Sequence, residues 1–419
     1  MKVLIISPSD ILDGGTKASY RLHRALLSEG LDSFMLVQTK LSDDPTVIEP
    51  ESKLEKFLSI LRPYIDQLPV KFYKNKTKTP FCPAWVGCKE IIQIIEKIKP
   101  DIVHIHSICR GTMKIEDLLK IKKPIVLSLH DMWFFTGGCS YNENCNNFTH
   151  KCGNCKVLGS NKEKDLSRWV WNRKYKVFRK IDNLTIVGVS KWITDCSKSS
   201  TLLKDKKHIT LPNPIDTNIF KPFDKNKARE LWNLPKNKKL ILFGAMSATN
   251  NPRKGFKQLS EALKKFNRTE EVELVVFGSS KPKNPPKFGF KTHYVGKLKD
   301  EISLVTLYNA ADVMVVPSLQ EAFGQTATES MACATPVVAF GTTGLLDIID
   351  HKLNGYLAKP FDTNDLKNGI EWVLNTKNYN ELCINARKKV LKNFDSKVVA
   401  KKYIKLYEDT IKTYKINSS

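Results

Sequence analysis

The chain has 419 residues, of which 41% are hydrophobic, and its 68 basic and 43 acidic residues give a net charge of +25. This length predicts two or three domains, and this hydrophobic fraction is enough for folded cores, which excludes wholesale disorder. No run of 18 apolar residues occurs, so no transmembrane helix is expected. The short apolar start, Met1–Pro8, lacks the cleavage site of a signal peptide and is typical of a first buried strand. We therefore expect a cytoplasmic protein.

The excess positive charge comes from lysine, with 57 lysines and 11 arginines. Proteins that bind specific nucleic-acid sequences use arginine more, because its planar guanidinium makes bidentate contacts. Lysine spread along the whole chain favours a compositional habit of the host genome. The alternative is a functional basic surface that attracts lipid headgroups, nucleotide phosphates or an acidic polymer.

The first part of the chain alternates between predicted strands and helices. Lys2–Ser7 is an apolar run typical of a buried parallel strand, a polar turn with Gly14 and Gly15 follows, and a helical pattern then ends at Gly30. Together with the strand Phe34–Val37 this predicts a βαβ unit. The further strands expected in this part are Ile102–His106, Ile125–His130, Leu184–Val189 and His208–Leu211.

Residues 51–80 interrupt this alternation. The pattern predicts a helix over Leu54–Ile65 with Leu54, Phe57, Leu58, Leu61 and Ile65 on one face, and several lysines follow between Lys71 and Lys78. An amphipathic helix beside lysines can lie on a membrane surface. The alternative is an ordinary surface helix followed by a loop.

A second alternating series begins near Lys239. Its predicted strands are Leu240–Gly244, Val272–Phe277, Thr292–Val295, Val313–Pro317 and Val337–Phe340, and a long helix from Ser396 to about Tyr414 closes the chain. The fold class is therefore α/β, with two doubly wound, Rossmann-like domains and a cleft between them. We expect domains over 1–215 and 216–395, and a helix over 396–419 that packs back on the N-terminal domain. Ligands of such sheets bind beyond the carboxyl ends of the strands.

The segment Pro317–Pro336 is the most informative part of the sequence, because it follows a strand and opens a helix. Backbone amides at a helix start attract anions such as phosphate. Glu329, one turn into the helix, can accept hydrogen bonds from sugar hydroxyls. Glu321, in the preceding loop, can reach the reactive end of a ligand bound there.

The sequence resembles the family 4 retaining glycosyltransferases, which have the GT-B fold. The resemblance rests on the glutamate pair followed by Met331-Ala332-Cys333 and Thr335-Pro336-Val337-Val338. It extends over most of the chain, in the family's order, through Gly14-Gly15, His130-Asp131, Val189-Ser190, Pro212-Asn213-Pro214, Arg253-Lys254-Gly255 and Gly355-Tyr356-Leu357.

The resemblance implies a donor site for a nucleotide diphosphate sugar. Glu329 would hold the nucleotide ribose, and Glu321 would contact the donor sugar as a catalytic residue. The remaining donor-binding residues would be Gly14, Gly15, Gly278, Phe323, Gly324 and Gln325.

The resemblance also implies a catalytic role for Arg253, Lys254 and His130. The two cations would neutralise the departing diphosphate, a clamp that can replace a metal ion, so no catalytic metal is expected. Many relatives carry an arginine directly after the glycine that ends this strand, whereas Ala245 follows Gly244 here, which leaves more of the contact to Lys254. His130 would contact the donor sugar and position it. His104 and His106 lie in a buried-strand pattern and are interpreted as structural.

Four of the ten cysteines are clustered just after His130, as Cys139, Cys145, Cys152 and Cys155. The last two have the spacing of a zinc-ligand pair, so a structural zinc ion is one interpretation, and disulfides and free thiols are the others. A polysaccharide-assembly subgroup of the family resembles this loop, which would then help to shape the acceptor site.

We therefore expect a retaining, metal-independent glycosyltransferase of cell-surface polysaccharide or glycolipid synthesis. Its partners would be a nucleotide diphosphate sugar, a saccharide or lipid-linked acceptor, and an anionic membrane surface at the inner face of the membrane, with no nucleic acid. The alternatives are a GT-B enzyme of other chemistry, such as a nucleotide-sugar epimerase, a basic nucleic-acid-binding protein and a catalytically inactive nucleotide-sugar-binding module.

Overall fold

Two parallel β-sheets organise the chain, each in its own structural unit. The structure is a computed structural model, and it describes residues 1–266, 269–298 and 300–418. The first unit comprises residues 1–214 together with the C-terminal helix from Val399, and the second comprises residues 215–398. Among the described residues, none of the helices has the length and apolar character that crossing a membrane requires.

The first unit has a seven-stranded sheet in which every paired strand is parallel, with the order β3-β2-β1-β4-β5-β6-β7. Its strands are Lys2–Ser9 (β1), Asp32–Thr39 (β2), Val47–Ile48 (β3), Ile102–Ile105 (β4), Ile125–Leu129 (β5), Leu184–Gly188 (β6) and Lys207–Thr210 (β7). Its helices are Gly14–Ser28 (α1), Lys53–Asp66 (α2), Leu68–Lys71 (α3), Glu90–Ile98 (α4), Leu166–Phe178 (α5) and Lys191–Ser199 (α6).

The second unit has a six-stranded parallel sheet with the order β10-β9-β8-β11-β12-β13. Its helices are Lys225–Leu231 (α7), Phe256–Leu263 (α8), Glu301–Ala310 (α9), Gln325–Ala332 (α10), Thr363–Asn375 (α11) and Tyr379–Asn393 (α12). Its strands are Lys239–Gly244 (β8), Val272–Phe277 (β9), Thr292–Gly296 (β10), Val313–Val316 (β11), Val337–Phe340 (β12) and Gly355–Ala358 (β13). The closing helix Ser396–Ser418 (α13) follows.

The C-terminal helix α13 contributes to the core of the first unit. Val399, Ala400, Tyr403 and Tyr407 are buried in one apolar cluster with residues of α1 and of the central strands. The Tyr407 hydroxyl lies 2.7 Å from Nδ1 of His104 on β4. The N-terminal sheet is thus completed by the last element of the chain.

The order of the strands defines one switch point in each sheet. In the first sheet the chain runs outward from β1 to β3 and then returns to β4 on the other side of β1, and in the second it runs outward from β8 to β10 and returns to β11. Loops that leave neighbouring strands diverge at such a point and open a crevice beyond the carboxyl ends. The loops after β1 and β4, and those after β8 and β11, are therefore the positions where each unit is able to bind a ligand.

The predicted α/β class and the two doubly wound sheets are confirmed, with one local correction. Gly14 and Gly15 were predicted to lie in a turn, but they form the first turn of α1. Asp13 explains the early start, because its carboxylate accepts a hydrogen bond from the Thr16 amide and the Thr16 hydroxyl accepts one from the Asp13 amide. This reciprocal capping stabilises a helix start despite the two glycines.

Candidate functional site

Glu321 is the centre of the polar site in the second unit. It lies in the loop after β11, and its carboxylate accepts hydrogen bonds from Lys254 and, at 2.8 Å, from the Ser318 hydroxyl. Arg253 Nη1 lies 3.5 Å from the other carboxylate oxygen. The backbone of Glu321 is fixed as well, because its amide donates to the Thr343 hydroxyl at 3.0 Å and its carbonyl accepts from the Gly344 amide at 2.9 Å. The carboxylate is thus held in one position by both side chains and backbone.

The two cations belong to the loop after β8, and this loop is attached to the loop after β11. The Leu319 amide donates to the Arg253 carbonyl at 2.8 Å, and Arg253 Nη1 donates to the Gln320 carbonyl at 2.5 Å. Gly255, directly after Lys254, has a φ of +72° and packs against the loop after β11, because a Cβ atom on it would lie 1.8 Å from the Pro317 carbonyl oxygen. Only glycine permits this close approach, which brings Arg253 and Lys254 to Glu321.

Charge pairing determines the ionisation of this cluster. Burial raises the pKa of Glu321, but the neighbouring Lys254 ammonium and Arg253 guanidinium outweigh it and lower that pKa to about 2. Burial lowers the pKa of Lys254, and the Glu321 carboxylate acts in the opposite direction. Two cations and one carboxylate leave one positive charge at the carboxyl end of the second sheet, a favourable place for an anionic ligand.

The start of α10 lies next to Glu321 in the chain. Gly324 precedes the helix with a φ of +121°, and Phe323 is buried with its ring edge-on to Phe394. The first turn of a helix presents backbone N–H groups that the helix itself does not use, and its dipole favours anions. The side chain of Phe323 therefore packs in the core, while the backbone of Phe323, Gly324 and Gln325 forms the helix start.

Glu329 lies on α10, buried within the second unit. Its carboxylate accepts a hydrogen bond of 2.9 Å from the Tyr308 hydroxyl. Gly278 follows β9 with a φ of +80°, and a Cβ atom there would lie 2.0 Å from the Ala245 carbonyl oxygen. The Gly278 backbone therefore packs against Ala245, the residue that stands where many members of the resembled family carry an arginine.

In the first unit, the predicted site residue His130 lies directly after β5. Its Nε2 lies 2.7 Å from Nδ1 of His106, which follows β4, and the two rings stack. A Cβ atom on Gly15 would lie 3.5 Å from the His130 Cβ, so the first turn of α1 packs against this histidine. Gly15, His106 and His130 are thus brought together beside the switch point of the first sheet.

Burial favours the neutral form of three histidines near the switch point of the first sheet, His104, His106 and His130. Burial lowers the pKa of His130 to about 4, although Asp13 acts in the opposite direction, and burial also holds the pKa of His106 well below its usual range. The pKa of His104 falls to about 3 through burial and through the neighbouring His130. His104 is hydrogen-bonded to the hydroxyls of Tyr407 and, at 2.8 Å, of Ser128, so it is part of the core packing as predicted. His106, in contrast, contacts His130 directly.

A buried lysine supports the loop that follows His130. Lys174, on α5, donates to the Trp133 and Thr136 carbonyls, and its ammonium lies 3.5 Å from the centre of the Trp133 ring. Burial lowers the pKa of Lys174 to about 8. The loop after β5 therefore depends on a charge from a distant helix.

The four clustered cysteines line one small cavity, together with Thr136 and Phe148. They are free thiols, and burial raises the pKa of Cys152 to about 12 and that of Cys155 to about 11. In the described part of the chain, no three His, Cys, Asp or Glu side chains are grouped so that they could hold a metal ion. Cys139, Cys145, Cys152 and Cys155 therefore share one cavity, and the zinc interpretation stays a prediction.

Several contacts of the site were missed at the level of sequence. Ser318 and Thr343 bind Glu321, and His106 and Lys174 support His130 and its loop. Ser318 follows the predicted strand Val313–Pro317 and His106 ends the predicted strand Ile102–His106, and this position at the carboxyl end of a strand is the one signal that could have identified them. Lys174 is one lysine among 57, and no feature of its local sequence distinguishes it.

Comparison with known proteins shows a similarity that includes most of the second unit. Residues 224–390 match the family model of the glycosyl transferases group 1. An uncharacterized glycosyltransferase of Methanocaldococcus jannaschii is 36% identical over 107 residues, which are 25% of this chain and 27% of that protein. The N,N'-diacetylbacillosaminyl-diphospho-undecaprenol alpha-1,3-N-acetylgalactosaminyltransferase of Campylobacter jejuni is 31% identical over 121 residues, which are 29% of this chain and 31% of that protein. The matches thus span less than a third of either relative.

The fold as a whole is shared with solved glycosyltransferase structures. HepE of Anabaena, in complex with UDP and glucose, superimposes with a TM-score of 0.64 over 98% of this chain and 100% of that one, at 16% sequence identity. At this identity the likeness establishes the fold alone. Together with the two parallel sheets it confirms the GT-B architecture.

Proposed function

We propose that this protein is a retaining glycosyltransferase that moves a sugar from a nucleotide diphosphate sugar to a hydroxyl of a saccharide acceptor. The observation that carries the proposal is the cluster of Arg253, Lys254 and Glu321 at the switch point of the second sheet, beside the start of α10. The family match over residues 224–390 supports a glycosyltransferase reading of this unit.

We assign donor binding to the second unit. Arg253, Lys254 and the backbone of Phe323, Gly324 and Gln325 would hold the diphosphate and the sugar, because cations and helix starts both stabilise anionic oxygens. Glu329 would accept hydrogen bonds from the ribose, and Glu321 would accept them from the donor sugar. Gly278 would shape the loop beside them. The complex of HepE with UDP and glucose supports a nucleotide-sugar donor.

We assign acceptor binding to the first unit, with the loop of Cys139 and Cys155 beside the acceptor. Gly14, Gly15 and His130 would contact the donor's phosphate or sugar there. A neutral imidazole at His130 can donate or accept a hydrogen bond without adding charge, and this suits positioning of the sugar better than electrostatic attraction.

The transfer itself needs no metal ion in this proposal. The bond between the anomeric carbon and the diphosphate oxygen breaks, and a bond to the acceptor oxygen forms on the same face of the sugar. The proton of the acceptor hydroxyl passes to the departing diphosphate. Lys254 and Arg253 stabilise the negative charge that develops on that diphosphate.

The name of the Campylobacter relative describes transfer to an undecaprenol-linked saccharide. On this basis we propose a lipid-linked acceptor in cell-surface polysaccharide or glycolipid synthesis, used in the cytoplasm at the inner face of the membrane.

A donor screen tests the proposed activity. The purified protein is incubated with UDP-, GDP-, ADP- and TDP-sugars, and released nucleotide is measured. We expect slow hydrolysis of one donor, lost in Glu321→Gln and retained in Glu381→Gln, an exposed glutamate of the same unit. If no donor were hydrolysed and none raised the melting temperature, the proposal would be wrong.

A further inference from the structure

The helix α2 of the first unit is amphipathic, but its apolar side faces outward, and exposed apolar residues continue beyond it at Leu68 and Phe72. Leu54, Phe57 and Tyr64 on α2 are 65%, 59% and 67% exposed, and Phe72 directly after α3 is 86% exposed. Ile60, Leu61 and Leu68 are exposed as well. Intervals of three and four residues place such side chains on one stripe of a helix. We call Leu54, Phe57, Ile60, Leu61, Tyr64, Leu68 and Phe72 the docking face.

The opposite side of α2 is polar and buried. Arg62 is buried in an ion pair with Glu55, and the Asp66 carboxylate accepts hydrogen bonds from the Cys82 thiol and the Trp85 amide, each at 3.1 Å. The buried Ser59 hydroxyl donates to the Lys56 carbonyl at 2.7 Å. The bonds from Cys82 and Trp85 to Asp66 join the polar side of α2 to another segment, as does the bond of 3.2 Å from the Cys88 thiol to the Glu55 carboxylate. These contacts fix the rotation of the helix, so the apolar stripe is held outward by the fold.

This arrangement is the reverse of an ordinary surface helix, which turns its apolar stripe to the core and its polar side to water. Single exposed apolar residues are common on proteins, but a contiguous group of large ones marks a surface that binds a partner or a membrane. The docking face has seven such residues within nineteen positions of the chain. The ordinary-surface-helix interpretation therefore does not explain it.

Exposed lysines flank the docking face along the chain. Lys53, Lys71, Lys74, Lys76 and Lys78 are exposed along the same segment. An open groove beside α3 has the same combination of apolar and basic side chains. It is lined by the docking-face residues Leu68 and Phe72, by the exposed Trp169, and by the exposed Lys74, Lys162 and Lys164. Apolar and aromatic side chains with lysines beside them complement a bilayer surface whose acyl chains are apolar and whose headgroups are anionic.

We propose that the docking face binds the surface of an anionic bilayer. Leu54, Phe57, Tyr64 and Phe72 enter the boundary between headgroups and acyl chains, with α2 parallel to the membrane plane. The lysines of residues 71–78 contact the anionic headgroups. This inference adds a partner to the proposed function, and its test measures binding alone, so its outcome does not depend on sugar transfer.

Vesicle flotation tests the inference. The whole protein is mixed with vesicles of phosphatidylcholine alone or of phosphatidylcholine with phosphatidylglycerol, at low and at high salt. We expect binding to the anionic vesicles, weakened by salt. A triple variant, Phe57→Ser, Tyr64→Ser and Phe72→Ser, should lose at least tenfold in binding, since each buried apolar side chain contributes to insertion.

The charge is tested by a second set of variants. Lys71→Gln, Lys74→Gln and Lys76→Gln together should weaken binding by about a hundredfold, because each lysine near an anionic surface contributes about 1 kcal/mol. The matched control changes Lys401, Lys402 and Lys405 on α13, which are exposed lysines outside the docking face. The apolar control is Ile302→Ser with Ile384→Ser, two exposed side chains of the second unit.

The inference is overturned if the wild-type protein does not bind anionic vesicles, or if the two controls weaken binding as much as the docking-face variants do. It is also overturned if light scattering shows a dimer that the serine variants dissociate while vesicle binding is absent, since the face would then join two copies of the chain. The serine variants change exposed side chains, and an unchanged melting temperature verifies that they are folded.

Discussion

Lys254 lies against the Glu321 carboxylate, where the proposal needs a cation for the departing diphosphate. We expect Lys254→Met to lower kcat by about a hundredfold, because loss of one group that stabilises developing charge typically has an effect of this size. Released nucleotide, measured with the donor identified in the screen, gives the rate. Lys257→Met, an exposed lysine on α8 three residues away, serves as the control. Equal rates for the two variants would contradict the assignment.

His106 determines the orientation of His130 through the bond between Nδ1 and Nε2. We expect His106→Leu to lower kcat by about tenfold with little change in KM for the donor, since the loss of one hydrogen bond is worth about 1 kcal/mol. His106→Asn should restore most of the rate, because its amide can reach the position of Nδ1. A leucine variant with full activity, or an asparagine variant as impaired as leucine, would show that His106 does not position His130.

Sequence reasoning identifies the charged residues of the site better than the groups that hold them. Glu321, Arg253 and Lys254 follow strands and have a clear chemistry, and the structure brings all three into contact. The choice between zinc, disulfides and free thiols could not be made for the four clustered cysteines, because spacing along a loop does not determine where thiols point in space. Ser318 and His106 were missed because a hydroxyl or an imidazole next to a strand is common, and only the fold shows what it touches.

At the scale of elements, Lys174 of α5 joins a helix to the loop after β5. We expect Lys174→Met to lower the free energy of unfolding by about 2 kcal/mol, since two buried carbonyls lose their donor. Urea unfolding followed by tryptophan fluorescence measures the change. Lys176→Met, exposed on the same helix, should leave the stability unchanged. A stable Lys174→Met protein would mean that water or another donor replaces the ammonium.

The elements that sequence predicts well are the buried strands. β9 and β12 have the predicted bounds, because an apolar run rich in β-branched residues between polar turns has few alternative secondary structures. The helices α5, α7, α11 and α12 were not predicted, since their buried residues are mixed with charged ones and the apolar stripe is narrow. The outward rotation of α2 could not be predicted, because an apolar stripe in a sequence does not tell which side faces the core.

At the scale of the whole molecule, buried neutral histidines make the first unit sensitive to acid. Burial lowers the pKa of His23 to about 4, as it does for His130, and that of His104 is about 3. In the unfolded chain these imidazoles take up protons below about pH 6.5, so the unfolded state binds more protons between about pH 6.5 and pH 4. Stability therefore falls as the pH falls through this window, by about 1 kcal/mol per histidine and pH unit.

Calorimetric unfolding between about pH 7 and pH 5 measures this dependence. We expect the transition of the first unit to move to lower temperature as the pH falls. His23→Asn should make the dependence shallower, whereas His150→Gln, an exposed histidine of the same unit, should leave it as in the wild type. A stability that is constant or that rises as the pH falls would contradict this account.

The helix α13 has a consequence for the order in which the chain matures during synthesis. The ribosome produces residues 1–214 first, yet the core of that unit also needs Val399, Tyr403 and Tyr407. The second unit, residues 215–398, is a continuous segment and has left the ribosome before that core is complete. The half that is translated first is therefore the half that is finished last, and until then its nascent strands leave an apolar surface for chaperones to shield.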